Sequence, residues 1–404
     1  MSGQRVAVTG VGIVSSLGFN APDTFRALSA GERGLSPISL FDPGDVRSKL
    51  VGEVRGLDLA EVARPAEILE FSRTDAMAVL AAREATLQAK LPAEKRLGVA
   101  LGGTTGGMFE TEAVLSSSEL LSISQARAEQ LLTYPLSASL RRVVKSVGGA
   151  RVARSICSAC SGGAIALVQA VAWLRSGEVD FALAGGADGL CRLTLLGFNS
   201  LGATDPAPCR PFDRARAGLN LGEGAALLLL EREESAVRRG VEVLAWLDGF
   251  AVGAEAHHIT HPDPAGTRAR ALLREAMQRA GMSAATLSYV NAHGTGTAQN
   301  DAMEAQALLD VLGEASARTF VSSSKAQLGH TLGAAGAIEA AVTVLALCRG
   351  VVPPTVGLSD PELSGLRHVP ERGVNAALTS ALSSSFGFGG MSCVLAFAHA
   401  GVPA

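Results

Sequence analysis

The strongest constraint on the fold is that the chain repeats itself. GAIALVQAVAWL, starting at Gly163, matches GAIEAAVTVLAL, starting at Gly336, at five positions in twelve and an offset of 173. The stretches LGGTTGG near 103 and AHGTGT near 294 also echo each other, each after a strand pattern. Self-similarity of this kind means one supersecondary plan used twice. We read two similar halves stacked together, each with a buried central helix that begins at a loop. The charged stretch 233–240 is the natural division, giving halves 1–240 and 241–404. Such stacking brings the two helix N-termini together and predicts a shared site there.

The first of those helices follows RSICSACSGG. Val152 and Ile156 belong to an extended run. Ile165, Val168 and Ala172, with Ala164, Leu167, Val171 and Leu174, recur at helical spacing. Cys160 therefore sits at a strand-to-helix turn, where free N–H groups and the helix dipole favour a thiolate. Gly162 and Gly163 leave room for a substrate. Two other readings stay open at this point. Cys157 and Cys160 form a CxxC, which suits a redox pair or half a zinc site, and a cysteine can simply be core. The core reading is taken for Cys157, Cys191, Cys209, Cys348 and Cys393.

The strand after the Cys160 helix, 179–188, completes a strand-helix-strand unit, so a largely parallel, covered sheet and an α/β fold are expected. Helices are expected at 21–35, 66–90 and 266–280, and over 111–150 with a break at Tyr134-Pro135. Residues 5–9 read as a strand leading into a Gly-rich loop. Gly10, Gly12 and Gly18 are out of GxGxxG register, so a dinucleotide loop is not expected.

Composition limits the partners. A 404-residue chain with 48% hydrophobic residues can bury a large core, and a net charge of -3 argues against nucleic acid. No uninterrupted apolar run of spanning length or signal-peptide pattern stands out, so a cytoplasmic location without a membrane span is the default. The irregularly spaced cysteines do not suggest a disulfide framework.

The repeat places His330, before the second central helix, opposite Cys160. His293, in NAHGTGT, follows a strand that should end at the same face. A thiol with two imidazoles suits acyl transfer: the sulfur attacks a thioester, and neutral imidazoles donate to an oxygen gaining charge. A His in a Gly-rich turn can equally be structural. His257, His258 and His261 are close enough in sequence to suggest metal, but Pro262 and Pro264 break any ligand face and no metal is expected. Lys325 and Glu304 would pair if their loops meet, an arrangement kept for geometry more than stability.

CSACSGG around Cys160, NAHGTGT around His293, KAQLGH with His330, and the terminal FGFGG resemble the elongating β-ketoacyl-ACP synthases, types I and II, of the thiolase superfamily. The resemblance runs from residue 6 to about 397. It implies a five-layered αβαβα thiolase-like fold and decarboxylative Claisen condensation of an acyl thioester on Cys160 with malonyl-ACP. His293 and His330 would assist decarboxylation, and Lys325 with Glu304 would hold the site. The N–H groups of Cys160 and Phe388 would form the oxyanion hole, with Phe388 also the gate of the acyl pocket. Thr295, Thr297 and Met108 would contact substrate. No metal or organic cofactor is implied, since both substrates ride on the phosphopantetheine of acyl carrier protein. Arg210 and Arg64 are candidates for meeting that acidic partner.

A homodimer, or a heterodimer with a ketosynthase-like partner, is implied, as is fatty-acid or type II polyketide elongation. CRLTLLGFNSLG looks similar to ketosynthases of polyene and aryl-polyene systems, which favours a specialised pathway. The alternative is a non-catalytic, chain-length-setting subunit. The chain departs from the family pattern at Met391-Ser392, at Ala217, and at Arg154, where relatives carry an apolar residue.

Overall fold

In the computed structural model, residues 5–63, 71–116, 124 and 128–402 are described. Eleven strands form one mixed sheet whose order exposes the repeat. In the first half, β1 (Val6–Ser15), β2 (Leu97–Gly102), β3 (Val152–Ile156), β4 (Phe181–Asp188) and β5 (Gly224–Arg232) lie in the order β3-β2-β4-β5-β1. In the second, β6 (Ala245–Ala254), β7 (Tyr289–Asn291), β8 (Phe320–Ser322), β9 (Ser380–Phe386) and β10 (Met391–His399) lie in the order β8-β7-β9-β10-β6. Counted within each half, both orders are 3-2-4-5-1. Strand two is parallel to its neighbours and strand five antiparallel to both of its own. A two-residue strand, Arg367–His368, extends the second half beyond β8. The halves join where Val6–Val8 of β1 pair with Ala245–Leu247 of β6.

The helices repeat as well. α1 (Arg73–Gln88), α2 (Leu136–Ser146) and α3 (Gly162–Arg175) make the first three connections of one half. α4 (Thr267–Arg279), α5 (Ala298–Leu312) and α6 (Ala335–Arg349) make the same connections in the other. Strands alternate between two apolar environments. Leu228 and Leu230 of β5 face the central core with α3 and α6, while Leu227 and Leu229 face α1. In β10, Leu395 and Phe397 face the centre, and Val394 and Ala396 face α4 and α5. A sheet covered on both faces explains why these strands read as continuous apolar runs. The result is the five-layered αβαβα arrangement expected of a thiolase-like chain.

α3 and α6 cross at their N-terminal ends, and the contact is reciprocal. A Cβ on Gly163 would lie 2.8 Å from that of Ala337, and one on Gly336 would lie 2.9 Å from that of Ala164. Each residue touches the repeat-mate of its neighbour, as across a dyad. The segment Leu332–Arg349 has the length and mean hydropathy, 1.6, of a membrane span, which the sequence reading did not expect. It is 89% buried, packed against strands of both halves, and serves as core.

Several boundaries differ from the expectations. β1 runs straight through Gly10 and Gly12 to Ser15, with no loop after residue 9. Added Cβ atoms there would sit 2.0 and 1.9 Å from the carbonyl oxygens of Ala85 and Ala81, so these glycines let α1 lie against the strand. The helix at 21 stops at Ala30, where Gly31 takes φ 81°. Of the expected helix 66–90, Arg73–Gln88 is described and residues 64–70 lie outside the described residues. The stretch 111–150 contains Met108–Leu115, the short 3-10 turn Gln130–Thr133, and α2; residues 117–123 and 125–127 also lie outside the described residues.

Candidate functional site

Between β3 and α3 the backbone turns sharply. Ala159 takes φ +41°, Ser161 N–H donates to Ser158 O at 3.0 Å, and Gly162 N–H to Ala159 O at 3.2 Å. A left-handed alanine costs energy, and the turn uses it to carry Cys160 to the mouth of α3. Cys160 is 5% exposed. Burial pushes its thiol up to about 11, outweighing the hydrogen bond from the Phe388 N–H and the Lys325 charge. The expected thiolate is therefore not the resting form, because the desolvation of a buried sulfur exceeds what one helix end returns. Cys157, expected in the core, is exposed, and Cys348 is half-buried; all six cysteines are free.

His330 is held by its backbone. Its N–H donates to Asn220 O at 2.7 Å, and its carbonyl accepts from Gly222 N–H at 2.9 Å. Its Nδ1 accepts from Leu332 N–H at 3.1 Å, which assigns the ring proton to Nε2. The turn is tied to the first half by Asp188, at the end of β4. That carboxylate accepts from the N–H groups of Thr104 and Thr105, each at 2.8 Å, and of Gly333 at 2.6 Å.

His293 stands after β7, with its ring centroid 5.4 Å from that of His330 and nearly perpendicular to it. Lys325 Nζ lies 3.2 Å from its Nδ1 and also donates to its carbonyl oxygen. Burial, with Lys325 nearby, holds both imidazoles well below the usual histidine range, so both are neutral at pH 7. One donor atom from each of Cys160, His293 and His330 lies within 4.8 Å of the other two. These three could in principle share a metal ion. A metal-binding histidine, however, usually turns its other nitrogen to a carboxylate or carbonyl, and His293 turns its own to a lysine. His258 and His261 stack at 4.5 Å, and His258 Nδ1 accepts from Thr260 N–H at 3.1 Å. With His257 they form no metal-ligand group among the described residues.

The structure corrects the lysine's partner. Lys325 is ion-paired with Glu339, on α6, and both are buried. Glu304 instead accepts from His293 N–H and Gly294 N–H, each at 2.8 Å, and so fixes the histidine's backbone. Glu304 is eleven residues from His293 along the chain and reaches it through α5, one turn of which faces the loop. Glu339 was not singled out in the sequence, although a lone carboxylate in an otherwise apolar repeat was the available signal.

A cavity of about 630 Å³ opens onto Cys160, His293 and His330, and is lined also by Thr295, Thr297 and Phe388. The two threonine hydroxyls lie 2.9 Å apart. Asp301 orders their loop by accepting from Thr295 N–H at 2.9 Å and Gly296 N–H at 3.0 Å, another role missed in the sequence. Met108 does not line the cavity. It starts the helix Met108–Leu115, whose N-terminal residue is turned by the Gly-rich loop before it. Arg210 is half-buried, and Arg64 lies outside the described residues.

Phe388 stacks on Phe198 with centroids 5.6 Å apart. Its loop is held through backbone groups: Gly387 N–H to Met391 O at 2.9 Å, Gly389 N–H to Ile259 O at 2.7 Å, and Glu255 N–H to Gly390 O at 3.1 Å. The Met391-Ser392 departure thus leaves the loop anchored, because the anchors are not side chains. Ala217 lines the cavity, and the preceding Arg216 binds the carbonyls of Thr297 at 3.1 Å and Ala298 at 2.6 Å.

Residues 3–236 match the family described as beta-ketoacyl synthase, N-terminal domain, and residues 244–359 match its C-terminal domain. The chain is 33% identical over 408 residues to 3-oxoacyl-[acyl-carrier-protein] synthase 2 of Synechocystis sp., covering 98% of both. It is 34% identical over 405 residues to the tetracenomycin polyketide synthase ketoacyl synthase alpha subunit of Streptomyces glaucescens, covering 96% of this chain and 95% of the relative. Among solved structures, the ishigamide ketosynthase/chain length factor superposes with TM-score 0.90 at 31% identity, over 99% of this chain and 100% of that one.

Proposed function

The chain belongs to the β-ketoacyl synthase family, acyltransferases of fatty-acid or type II polyketide elongation, and we propose that Cys160, His293 and His330 carry its condensation. What supports this most is one geometry: a buried thiol bonded to the Phe388 N–H, within 4.8 Å of two neutral imidazoles, beneath a cavity.

In the loading step Cys160 Sγ attacks the thioester carbonyl carbon of an acyl carrier protein substrate. The bond to the pantetheine sulfur breaks, and the proton Cys160 loses goes to that leaving sulfur. The N–H groups of Cys160 and Phe388 take the oxyanion. In the second step malonyl thioester loses CO2. The enolate oxygen accepts from the Nε2–H groups of His293 and His330, the carbanion attacks the acyl carbon, and the sulfur of Cys160 leaves as a thiolate that takes one proton from solvent. Thr295 and Thr297 lie along the pantetheine path. The Lys325–Glu339 pair positions His293, and Glu304 acts as a further positioning residue through its backbone.

Both substrates arrive on the phosphopantetheine of acyl carrier protein, and the roles proposed here use no metal or organic cofactor. The protein assembles as a dimer of ketosynthase folds, in the cytoplasm. The division at residue 240 is part of the same reading, supported by the gap between the two family matches and the repeated strand order. The complete Cys160, His293, His330 and Lys325 set weighs against a non-catalytic, chain-length-setting subunit. The test is the intact mass of the protein after incubation with a panel of acyl-ACPs, beside Cys160→Ala. A gain of one acyl group in the wild type alone is expected; equal gain in the variant would refute Cys160 as the nucleophile.

A further inference from the structure

A second cavity, of about 530 Å³, opens where the parallel strands of the second half begin. Ser288 immediately precedes β7, Phe320 opens β8, Arg367 opens the short strand beside it, and Thr379 immediately precedes β9. His293, Lys325 and Phe388 lie just past the other ends of β7, β8 and β9. Parallel strands keep like ends together, so this cavity and the catalytic cluster stand at opposite ends of the same strands. The two cavities share no lining residue.

The charge here is one-sided. Arg318 and Arg367 line the cavity and are exposed, and no aspartate or glutamate lines it. Neither arginine has a carboxylate in ion-pair range among the described residues. Elsewhere on the surface, the exposed Arg151, Arg214 and Arg279 have Glu178 at 3.0 Å, Asp360 at 2.9 Å and Glu275 at 2.6 Å. Arg367 is held in place: its guanidinium lies 3.7 Å from the Phe320 ring centroid, and Nη1 donates to Arg318 O at 3.2 Å. That bond uses one donor of the fork and leaves the others free. It also brings the two arginines together, so like charges share one wall without a counterion, a repulsion that a bound anion relieves. Across the starts of β7 and β9, the Ser288 and Thr379 hydroxyls lie 2.9 Å apart, and Thr379 N–H donates to Ser288 Oγ at 3.1 Å, which fixes that part of the rim. The Asn375 side chain, also in the lining, has no hydrogen-bond partner among the described residues, so its amide N–H groups are free to donate.

We propose that this cavity binds a small phosphate monoester, with the phosphate held by Arg318 and Arg367. Two guanidinium charges match a phosphate dianion, whereas one of them suffices for a carboxylate. The guanidinium fork also suits phosphate oxygens taken in pairs. The volume exceeds what phosphate alone fills and lies in the ordinary range of small-molecule sites. Ala285 and Ala376 give the carbon part of the ester an apolar wall. The site is independent of the catalytic reading, because it uses none of the residues assigned there.

The test is isothermal titration of the full chain at pH 8 and low salt with inorganic phosphate, adenosine 5′-monophosphate and acetate, beside Arg318→Gln and Arg367→Gln. Phosphate is expected to bind with Kd on the order of 1 mM, the nucleotide more tightly, and acetate at least about tenfold more weakly. Each glutamine variant should lose about tenfold or more in phosphate affinity, and Arg367→Lys, which keeps the charge without the fork, should recover part of it. Both arginines are exposed, and Arg318→Gln leaves the Phe320 contact in place, so a melting curve like that of the wild type is expected for it. Phosphate affinity that survives in both glutamine variants puts the ion elsewhere and overturns the proposal. Acetate binding as tight as phosphate rejects the dianion, binding of phosphate without the nucleotide rejects the ester, and no heat from either phosphate probe at millimolar concentration rejects the site.

Discussion

Replacing Gly163 with alanine tests whether the crossing of α3 and α6 sets the distance between Cys160 and His330. The new methyl would lie 2.8 Å from Ala337 Cβ and 2.9 Å from its backbone nitrogen, whereas ordinary contact begins at 3.4 Å. Because one clash is with backbone, rotamer changes do not relieve it, and the helices must part by about 0.6 Å, the difference between 3.4 and 2.8 Å. Overpacking of this kind costs about 1–3 kcal/mol, offset by up to about 1 kcal/mol of helix propensity. A net loss of about 1–2 kcal/mol is expected in urea unfolding. Cys160 lies three residues before Gly163, so the displacement passes directly into the site. Misplacement approaching 1 Å lowers turnover on the order of 10- to 100-fold. Condensation rate at saturating acyl-ACP and malonyl-ACP is the activity assay. Gly197→Ala is the control, since its added methyl meets nothing within 4 Å. If Gly163→Ala is as stable and as active as this control, the crossing does not set the site.

Glu339→Gln leaves the Lys325 charge buried without its counterion and should cost about 3–5 kcal/mol, whereas Glu304→Gln disturbs two backbone acceptor contacts and should cost about 1–3 kcal/mol; the reverse order in urea unfolding would reject the pairing described here. Burial pushes Glu304 up to about 8. A folded value above the unfolded one means that its contribution is complete below roughly pH 4.5 and is lost as pH rises through about 8. Stability should therefore fall from pH 5 to 8, with a shallower fall in Glu304→Gln; a rise across that window in both proteins contradicts the assignment. In iodoacetamide labelling, exposed Cys157 should react before buried Cys160 at pH 7, and the Cys160 rate should still climb at pH 10, because its thiol titrates near 11. A plateau below pH 9 in peptide-mapped labelling would refute that.

The repeat made the central part of this fold legible. An offset of 173 residues already aligned Gly163 with Gly336, the two positions where the helices touch, and so brought Cys160 and His330 together. Local patterns were less informative where a neighbour decided the outcome. Gly10 and Gly12 looked like a loop because the helix that needs them begins more than 60 residues later. The thiolate expected for Cys160 followed from the helix end alone, but burial by the second half reverses it. In sequence, Glu304 pairs with Lys325 only if their two loops meet, and they do not pair. Glu339 is fourteen residues past the lysine, on the far side of a turn, and only the packing of α6 brings it in.

The strand order 3-2-4-5-1 also constrains synthesis. In each half the strand made last lies beside the strand made first, so β1 waits for residues 224–232 and β6 for residues 391–399 before gaining its neighbour within its own half. Contacts of such sequence separation are slow to form. During translation the first half can close while the second is still absent, leaving the apolar side of α3 open and Asp188 without its Gly333 donor. Phe388, whose N–H bonds the Cys160 sulfur, emerges 228 residues after it. A nascent or truncated chain therefore carries the cysteine but not the surroundings that make it selective. That interval is where a chaperone would have most effect on the yield of competent enzyme.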